Sequence, residues 1–524
     1  MEKVTYDRWL GAYRAGLRSA SLPLGLLVAS VTMTGLVVLG DRTPSAVAPA
    51  IVASLAAGLI VGLVPSRPLA AFGLLILLAS LSKETLDLSV GRARLEQPAI
   101  LSAILALALS RRWPRWAEVR PVVVIIIGFA AYFAILILSS LLYAPQMATS
   151  ARMLIWIAIS MSGGAVAFAL LVRLRADREG WFVTTGVLYA VVGLIIAIAF
   201  LIAGPDGIPG MQVNHGEPPK VAGLAWEANL YASLLGAMAP FALEYFRARR
   251  RVLSAVPAAL IIVAMGLGVT RGAYMGLAVG LGVYLLVLVT RSSAARSSLP
   301  RVVALIAVAA VLAPMSAILL LPAQRPSALA ALYTSLVNPA QPSATPSASL
   351  TPSATLSASL TPSATPSASA SPTPSATPSA APTPPVDTLE FRLDRVGAAL
   401  SDLKQDPIIG LGAATFGQRH EIPGQPGQPD YIAILGLATV YESGILGAAA
   451  LGGGLLLVLW MLFRASKHNV GPAAAYAGSL VSLLVAYQAT NALFFSFNWL
   501  IMGAALAFSV RTLAAGATRS EPTA

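Results

Sequence analysis

The feature that most constrains this chain is a succession of apolar stretches, each close to the ~20 residues a helix needs to cross a lipid bilayer. Fourteen runs stand out: 22–40, 46–64, 68–82, 98–110, 121–143, 152–172, 181–203, 223–246, 252–270, 272–290, 302–321, 444–463, 471–490 and 492–510. The third and fourth are short, so the expected number of spans is 12 to 14. Only 11% of the residues are charged, against about 25% in a soluble domain. A chain this apolar cannot cover its own surface with polar groups. The expectation is an all-α, polytopic integral membrane protein with one large extracytoplasmic loop that contains an amphipathic helix.

The polar start, with Lys3, Arg8, Arg14 and Arg18, precedes an apolar run too long for a signal-peptide core and without a convincing small-residue cleavage site. That run reads as a retained first span. With the N-terminus in the cytoplasm and the spans alternating, the inside segments hold 23 of the 35 basic residues. Five more fall in one long outside segment, where charge does not count toward orientation, and the short outside loops keep seven. The bias predicts cytoplasmic N- and C-termini. It also accounts for the net charge of +13 without a nucleic-acid partner.

Three regions follow: a bundle of about 11 spans over 1–321, an extracytoplasmic loop over 322–443, and C-terminal spans with a cytoplasmic tail over 444–524. Within the loop, 338–385 is Pro/Ser/Thr/Ala low complexity with a ten-residue repeat beginning at Pro342, Pro352 and Pro362. Such composition cannot bury a core and predicts an extended linker. From 387 to 405 the pattern changes. Asp387 and Glu390 resemble a capping box, and Leu389, Leu393, Val396, Leu400 and Leu403 recur at helical spacing until Asp406-Pro407. This predicts an amphipathic helix at the membrane surface or over a cavity. A Gly/Pro-rich segment, 406–443, then leads back to the membrane.

The chain has no cysteine, which removes disulfides and thiolate chemistry. No phosphate-loop lysine follows a glycine-rich turn, and the histidines, His215, His420 and His468, are far apart. Nothing calls for a metal or a cofactor. Acidic residues are more telling. Glu227 and Glu442 fall in or at the start of apolar runs near the outer leaflet, where an ionisable group is costly unless it is paired or lines a wet cavity. Lys220, Arg271, Arg392, Arg395 and Arg419 form a basic set on the same side. Arg271 interrupts continuous apolar sequence, and arginine grips phosphate oxygens at two points. The run Phe494-Phe495-Ser496-Phe497-Asn498-Trp499 reads as an interfacial aromatic belt.

Three separated segments, taken in order, resemble the O-antigen ligase/polymerase family. The first is Lys220-Val-Ala-Gly223 followed by Trp226-Glu227-Ala-Asn229-Leu-Tyr-Ala232. The second is the turn Thr270-Arg271-Gly272-Ala273-Tyr274. The third is Asp406-Pro407-Ile-Ile-Gly410-Leu-Gly412 with Phe416, Tyr431 and Glu442-Ser-Gly444-Ile-Leu-Gly447. The resemblance covers roughly 215–465. It implies an enzyme without nucleotide or metal that moves or polymerises a polyprenyl-diphosphate-linked glycan onto a sugar, lipid or protein hydroxyl. It further implies diphosphate binding by Arg271 and Lys220, with help from Arg392 or Arg395. Glu227 and Asn229 would support. Where ligases carry a histidine next to asparagine, this chain has Pro429-Asp430, so the general base stays open among His420, Asp430 and Glu442. Two other readings are a flippase or transporter for lipid-linked sugars and a non-catalytic envelope-assembly protein.

Overall fold

The computed structural model describes residues 24–33, 44–81, 86–88, 91–174, 178–203, 212–214, 220–223, 225, 227–249, 251–291, 293–321, 388–422 and 430–519. The Pro/Ser/Thr repeat and Asp387, expected to cap the amphipathic helix, lie outside them.

The described helices longer than four residues are α1 Leu24–Met33, α2 Pro44–Ser66, α3 Pro68–Ser80, α4 Glu96–Leu109, α5 Val123–Tyr143, α6 Met147–Leu171 and α7 Glu179–Ala203. They continue as α8 Ala228–Arg249, α9 Val256–Gly266, α10 Arg271–Arg291, α11 Leu299–Leu320, α12 Thr388–Asp402, α13 Leu435–Ala465, α14 Val470–Ala486 and α15 Ser496–Arg519. Each of the fourteen apolar runs contains a described helix, and the amphipathic pattern at 387–405 becomes α12. Two small antiparallel hairpins, β1 Leu86–Leu88 with β2 Gly91–Ala93 and β3 Gln212–Asn214 with β4 Lys220–Gly223, sit in the connections before α4 and α8. Several helix starts follow from proline, whose fixed φ and missing N–H suit the first turn: Pro68 opens α3, Pro257 opens α9 and Pro300 opens α11.

Among the described residues, eight helices are long and apolar enough to cross a membrane. The protein is an all-α, multi-pass membrane protein. Its outer surface carries Ile126, Ile127, Leu141, Leu286, Val311 and Leu456, a liability in water and the natural covering of a bundle in lipid. The interior is built around α8, whose residues from Leu230 to Glu244 are all buried. Phe241 of α8 stacks on Phe182 at 4.4 Å and meets Tyr476 edge-on at 5.0 Å.

Lipid gives helices no hydrophobic reason to associate, so close backbone approach at small residues must supply the attraction. The pairs α10–α14 and α6–α15 do this. A Cβ on Gly280 would lie 2.5 Å from the Gly478 carbonyl oxygen, and one on Gly503 would lie 2.0 Å from that of Gly164. The start of α6, the start of α8, the end of α14 and the start of α15 meet at one end of the bundle.

Candidate active site

At that end α13 is broken. Gly444 has φ 65° and ψ −174° inside an otherwise helical run. The break strands two carbonyls, Tyr441 and Glu442, and the two amides that would have bonded them, Ile445 and Leu446. Unsatisfied backbone groups in a membrane cost several kcal/mol each. The segment 407–412 supplies all four partners. Leu411 N–H donates to the Tyr441 oxygen at 2.8 Å and Gly412 N–H to that of Glu442 at 2.9 Å. Ile445 N–H donates to Pro407 at 3.0 Å and Leu446 N–H to Ile408 at 3.1 Å.

Such close docking requires glycine. Gly410 (φ 77°) and Gly412 (φ 99°) are left-handed, and added Cβ atoms would fall 2.3 Å from the Gly444 nitrogen and 2.6 Å from the Ser140 Cα. Asp406 fixes the turn: its Oδ1 accepts the N–H groups of Ile408 and Ile409, both at 3.0 Å, and its Oδ2 accepts the Tyr143 hydroxyl at 2.8 Å. The Ile409 amide, then the Tyr143 hydroxyl, hold this carboxyl below its ordinary pKa. Ser140 Oγ accepts the Ala413 N–H at 2.9 Å, and Ser150 Oγ donates to the Ala413 carbonyl at 2.7 Å.

The next residue, Ala414, adopts φ 55°, a left-handed conformation that costs a non-glycine residue energy. Its N–H donates to Glu442 Oε1 at 3.0 Å. The segment Gly410–Ala414 therefore acts on Glu442 twice, at its carbonyl through Gly412 and at its carboxylate through Ala414.

Glu442 lines a cavity of about 950 Å³ enclosed by the α5–α6 turn, residues 414–421 and 430–432, the first turns of α13, and residues 490–495. Four carboxylates lie in its wall, Glu227, Glu421, Asp430 and Glu442, together with Arg94 and Arg419. Glu227 accepts the Thr490 hydroxyl. Asp430 is 3% exposed and ion-paired with Arg395, which reaches it from α12. Arg419 donates to Gln405 at 3.0 Å and to the Tyr143 carbonyl at 3.3 Å.

His420 is not part of the cavity wall. Its Nε2 lies 2.8 Å from Asp402 Oδ2, which also accepts the Tyr441 hydroxyl at 2.7 Å, and its ring packs on Phe416 at 4.5 Å. Lys220 is half-buried on β4, whose Val221 N–H donates to the Leu267 carbonyl at 3.0 Å. Arg271 is exposed at the first residue of α10, and its neighbour Gly272 packs on Ala489, one residue before Thr490 of the wall. Both cations thus lie at the cavity end of the bundle but outside the wall. Asn229 accepts the Ser233 hydroxyl through its carbonyl at 2.7 Å. Arg392 is in α12, and its side chain lies outside the described residues.

One wall residue, Arg94, and one residue behind it, Glu96, escaped the sequence reading. Arg94 is 1% exposed, with its guanidinium carbon 4.0 Å from the Phe495 ring centre, 4.9 Å from that of Trp156 and 5.0 Å from that of Phe494. Glu96 opens α4 with no exposed surface, and its Oε1 accepts the Ser496 hydroxyl at 3.3 Å. A charged pair two residues apart at the mouth of an apolar run was the available signal. The aromatic run that leads into the first turn of α15 differs from expectation as well. Phe495, Phe497 and Trp499 are buried, and Trp499 Nε1 donates to the Leu493 carbonyl at 2.9 Å. They face the protein interior because Gly164 and Gly503 draw α15 tightly onto α6.

No protein-family model matches the chain, and no curated protein matches it. The chemistry open to the site therefore rests on its own groups: a carboxylate set by a backbone amide, able to accept a proton, and arginines able to hold an anion in a cavity at one end of a membrane bundle.

Proposed function

We propose that this chain is a membrane glycosyltransferase of the O-antigen ligase/polymerase type. It transfers or polymerises a polyprenyl-diphosphate-linked glycan onto an acceptor hydroxyl at the extracytoplasmic face of the bacterial inner membrane. Its 12 to 14 spans place both termini in the cytoplasm and the loop over 322–443 outside, as the arginine and lysine distribution argues. The reading is carried by Glu442: a carboxylate oriented by the Ala414 amide, inside a cavity that also holds arginines.

The step needs no oxidant and no nucleotide. Glu442 takes the proton of the acceptor hydroxyl as its oxygen attacks the anomeric carbon of the donor. The bond from that carbon to the diphosphate oxygen breaks, and the electron pair leaves with the polyprenyl diphosphate. Cationic side chains neutralise the charge that grows there. Of the three candidate bases, Asp430 is ion-paired with Arg395 and His420 lies outside the cavity wall, which leaves Glu442 the best supported. His420, Asp402 and Tyr441 support the floor of the site.

A broken helix is also a device of transporters, where the open ends face a substrate. Here the four backbone groups at the break are bonded to 407–412, which favours a fixed platform over a moving gate. The test is a Glu442→Gln substitution in cells, with membrane abundance checked. Surface glycan should be lost while lipid-linked precursor accumulates; full-length glycan at normal amount would refute the assignment.

A further inference from the structure

The large cavity lies at one end of α6, where Met153 and Trp156 line it. At the other end of α6, past Leu171, a second cavity of about 220 Å³ lies between the start of α3, the end of α4 and the end of α6. Pro68, Leu107, Leu170 and Leu174 contribute apolar wall, and Arg112 and Arg173 contribute charge. Where the first cavity carries four carboxylates, no described carboxylate lines this one.

The chain fixes the two arginines by different means. Helix α4 ends in a turn that usually takes glycine: Arg111 adopts φ 50°, and the Arg112 N–H reaches back to the Leu107 carbonyl at 3.1 Å. Arg112 Nη2 then donates to the Pro65 carbonyl at the end of α2, at 2.6 Å. That bond holds its charge beside the cavity. Arg173 gives its Nε and Nη2 to the two oxygens of Glu118, both at 2.7 Å, and Nη2 also reaches the Trp113 carbonyl at 3.2 Å. Glu118 is pinned in turn by the Arg115 N–H at 2.7 Å. The Arg173 guanidinium is therefore held in one orientation. Its Nη1 makes no hydrogen bond among the described residues, and the side chain is 35% exposed.

Four arginines and one carboxylate lie between 111 and 120. Two tryptophans of the same connection, Trp113 and Trp116, are 41% and 66% exposed. Exposed tryptophan on a membrane protein marks the headgroup level of a leaflet. A surplus of cations at that level attracts anionic lipid, and a basic pocket between helices gives the attraction a fixed address. The leucine wall suits the first carbons of acyl chains, which a soluble anion lacks.

We propose that this cavity binds the phosphate of an anionic glycerophospholipid from the leaflet opposite the large cavity. Arg173 Nη1 donates to the phosphate, Arg112 adds a fixed charge, and Leu107, Leu170 and Leu174 meet the acyl chains. The site is independent of the glycosyltransferase reading, since it shares no residue with the large cavity.

The full-length protein in detergent micelles is equilibrated with phosphatidylglycerol, phosphatidylcholine or glycerol phosphate, and bound lipid is counted by native mass spectrometry. Phosphatidylglycerol is expected to be retained in preference to phosphatidylcholine, with glycerol phosphate a weak competitor. Arg115→Gln removes an exposed charge outside the cavity wall and should leave phosphatidylglycerol affinity within about twofold. Glu118→Gln combined with Arg173→Gln removes the cavity donor at unchanged net charge. It should weaken binding by about tenfold or more, the worth of a charged hydrogen bond. Arg173→Lys keeps the charge beside Glu118 but not the second donor edge, so it should fold normally and bind several-fold more weakly. Equal retention of the two lipids overturns the proposal, as does displacement by glycerol phosphate at matching concentration, which marks a site for a soluble anion. A loss in Arg115→Gln as large as that in the double variant would mean diffuse attraction by surface charge and no site. Should the double variant fail to fold, unchanged binding in Arg173→Lys overturns the proposal by itself.

Discussion

At the scale of single residues, function and fold meet in two carboxylates with opposite duties. Glu442 is presented to the cavity, and removing its ability to accept a proton should lower glycan transfer about a hundredfold or more, the usual worth of a general base. That loss should come without a change in thermal unfolding, since glutamine can still accept the Ala414 N–H. Asp406 works for the fold. Its carboxyl is held below its ordinary pKa by the Ile409 amide and the Tyr143 hydroxyl, so the stabilisation is full above the unfolded-state pKa and is lost as pH falls through the folded one. Thermal unfolding followed from neutral to acid pH should show the wild type losing stability more steeply than Asp406→Asn. Parallel curves would show that the turn does not depend on the charge.

At the scale of elements, the broken helix α13 is where sequence and structure part. Periodicity over 444–463 predicts a span, but the helical run begins nine residues earlier, at Leu435. Glycine at 444 hides the continuity, because a left-handed residue shifts the register of the apolar face. The span predicted at 223–246 starts at Ala228 instead, since Gly223 takes φ 61° as β4 ends. The apolar runs themselves were legible because lipid demands a length and a composition that no tertiary contact overrides. The cavity was only partly so. Glu227 and Glu442 could be named from charge in apolar surroundings, Asp430 from the family resemblance, and Arg419 from the basic set. Arg94 was not named, because an arginine before a span reads the same whether it faces headgroups or an aromatic cage; only the acidic Glu96 two residues on sets it apart. Gly444→Ala tests the element directly. A Cβ there would lie 2.1 Å from the Ile408 oxygen, so the variant should lose ~1–3 kcal/mol in chemical unfolding, and transfer with it. An unaffected midpoint would mean that the break does not organise the site.

For the whole molecule, orientation decides whether the cavity meets acceptors outside the cell. The absence of cysteine makes this measurable with single introduced thiols. Ser401→Cys, exposed at the end of α12, should react with an impermeant maleimide in intact cells, and Ser293→Cys, exposed after α10, only once the membrane is opened. The reverse pattern would turn the cavity inward and exclude an extracytoplasmic acceptor. Beyond orientation stands the claim that this bundle makes glycosidic bonds. The direct measurement is reconstitution of the purified full-length protein in proteoliposomes with a polyprenyl-diphosphate-linked glycan and its acceptor, following the lipid and the glycan together. Release of polyprenyl diphosphate matched by a joined or lengthened glycan, and abolished by Glu442→Gln, is the predicted result. Donor that stays intact, or that crosses the bilayer unchanged, would contradict the account.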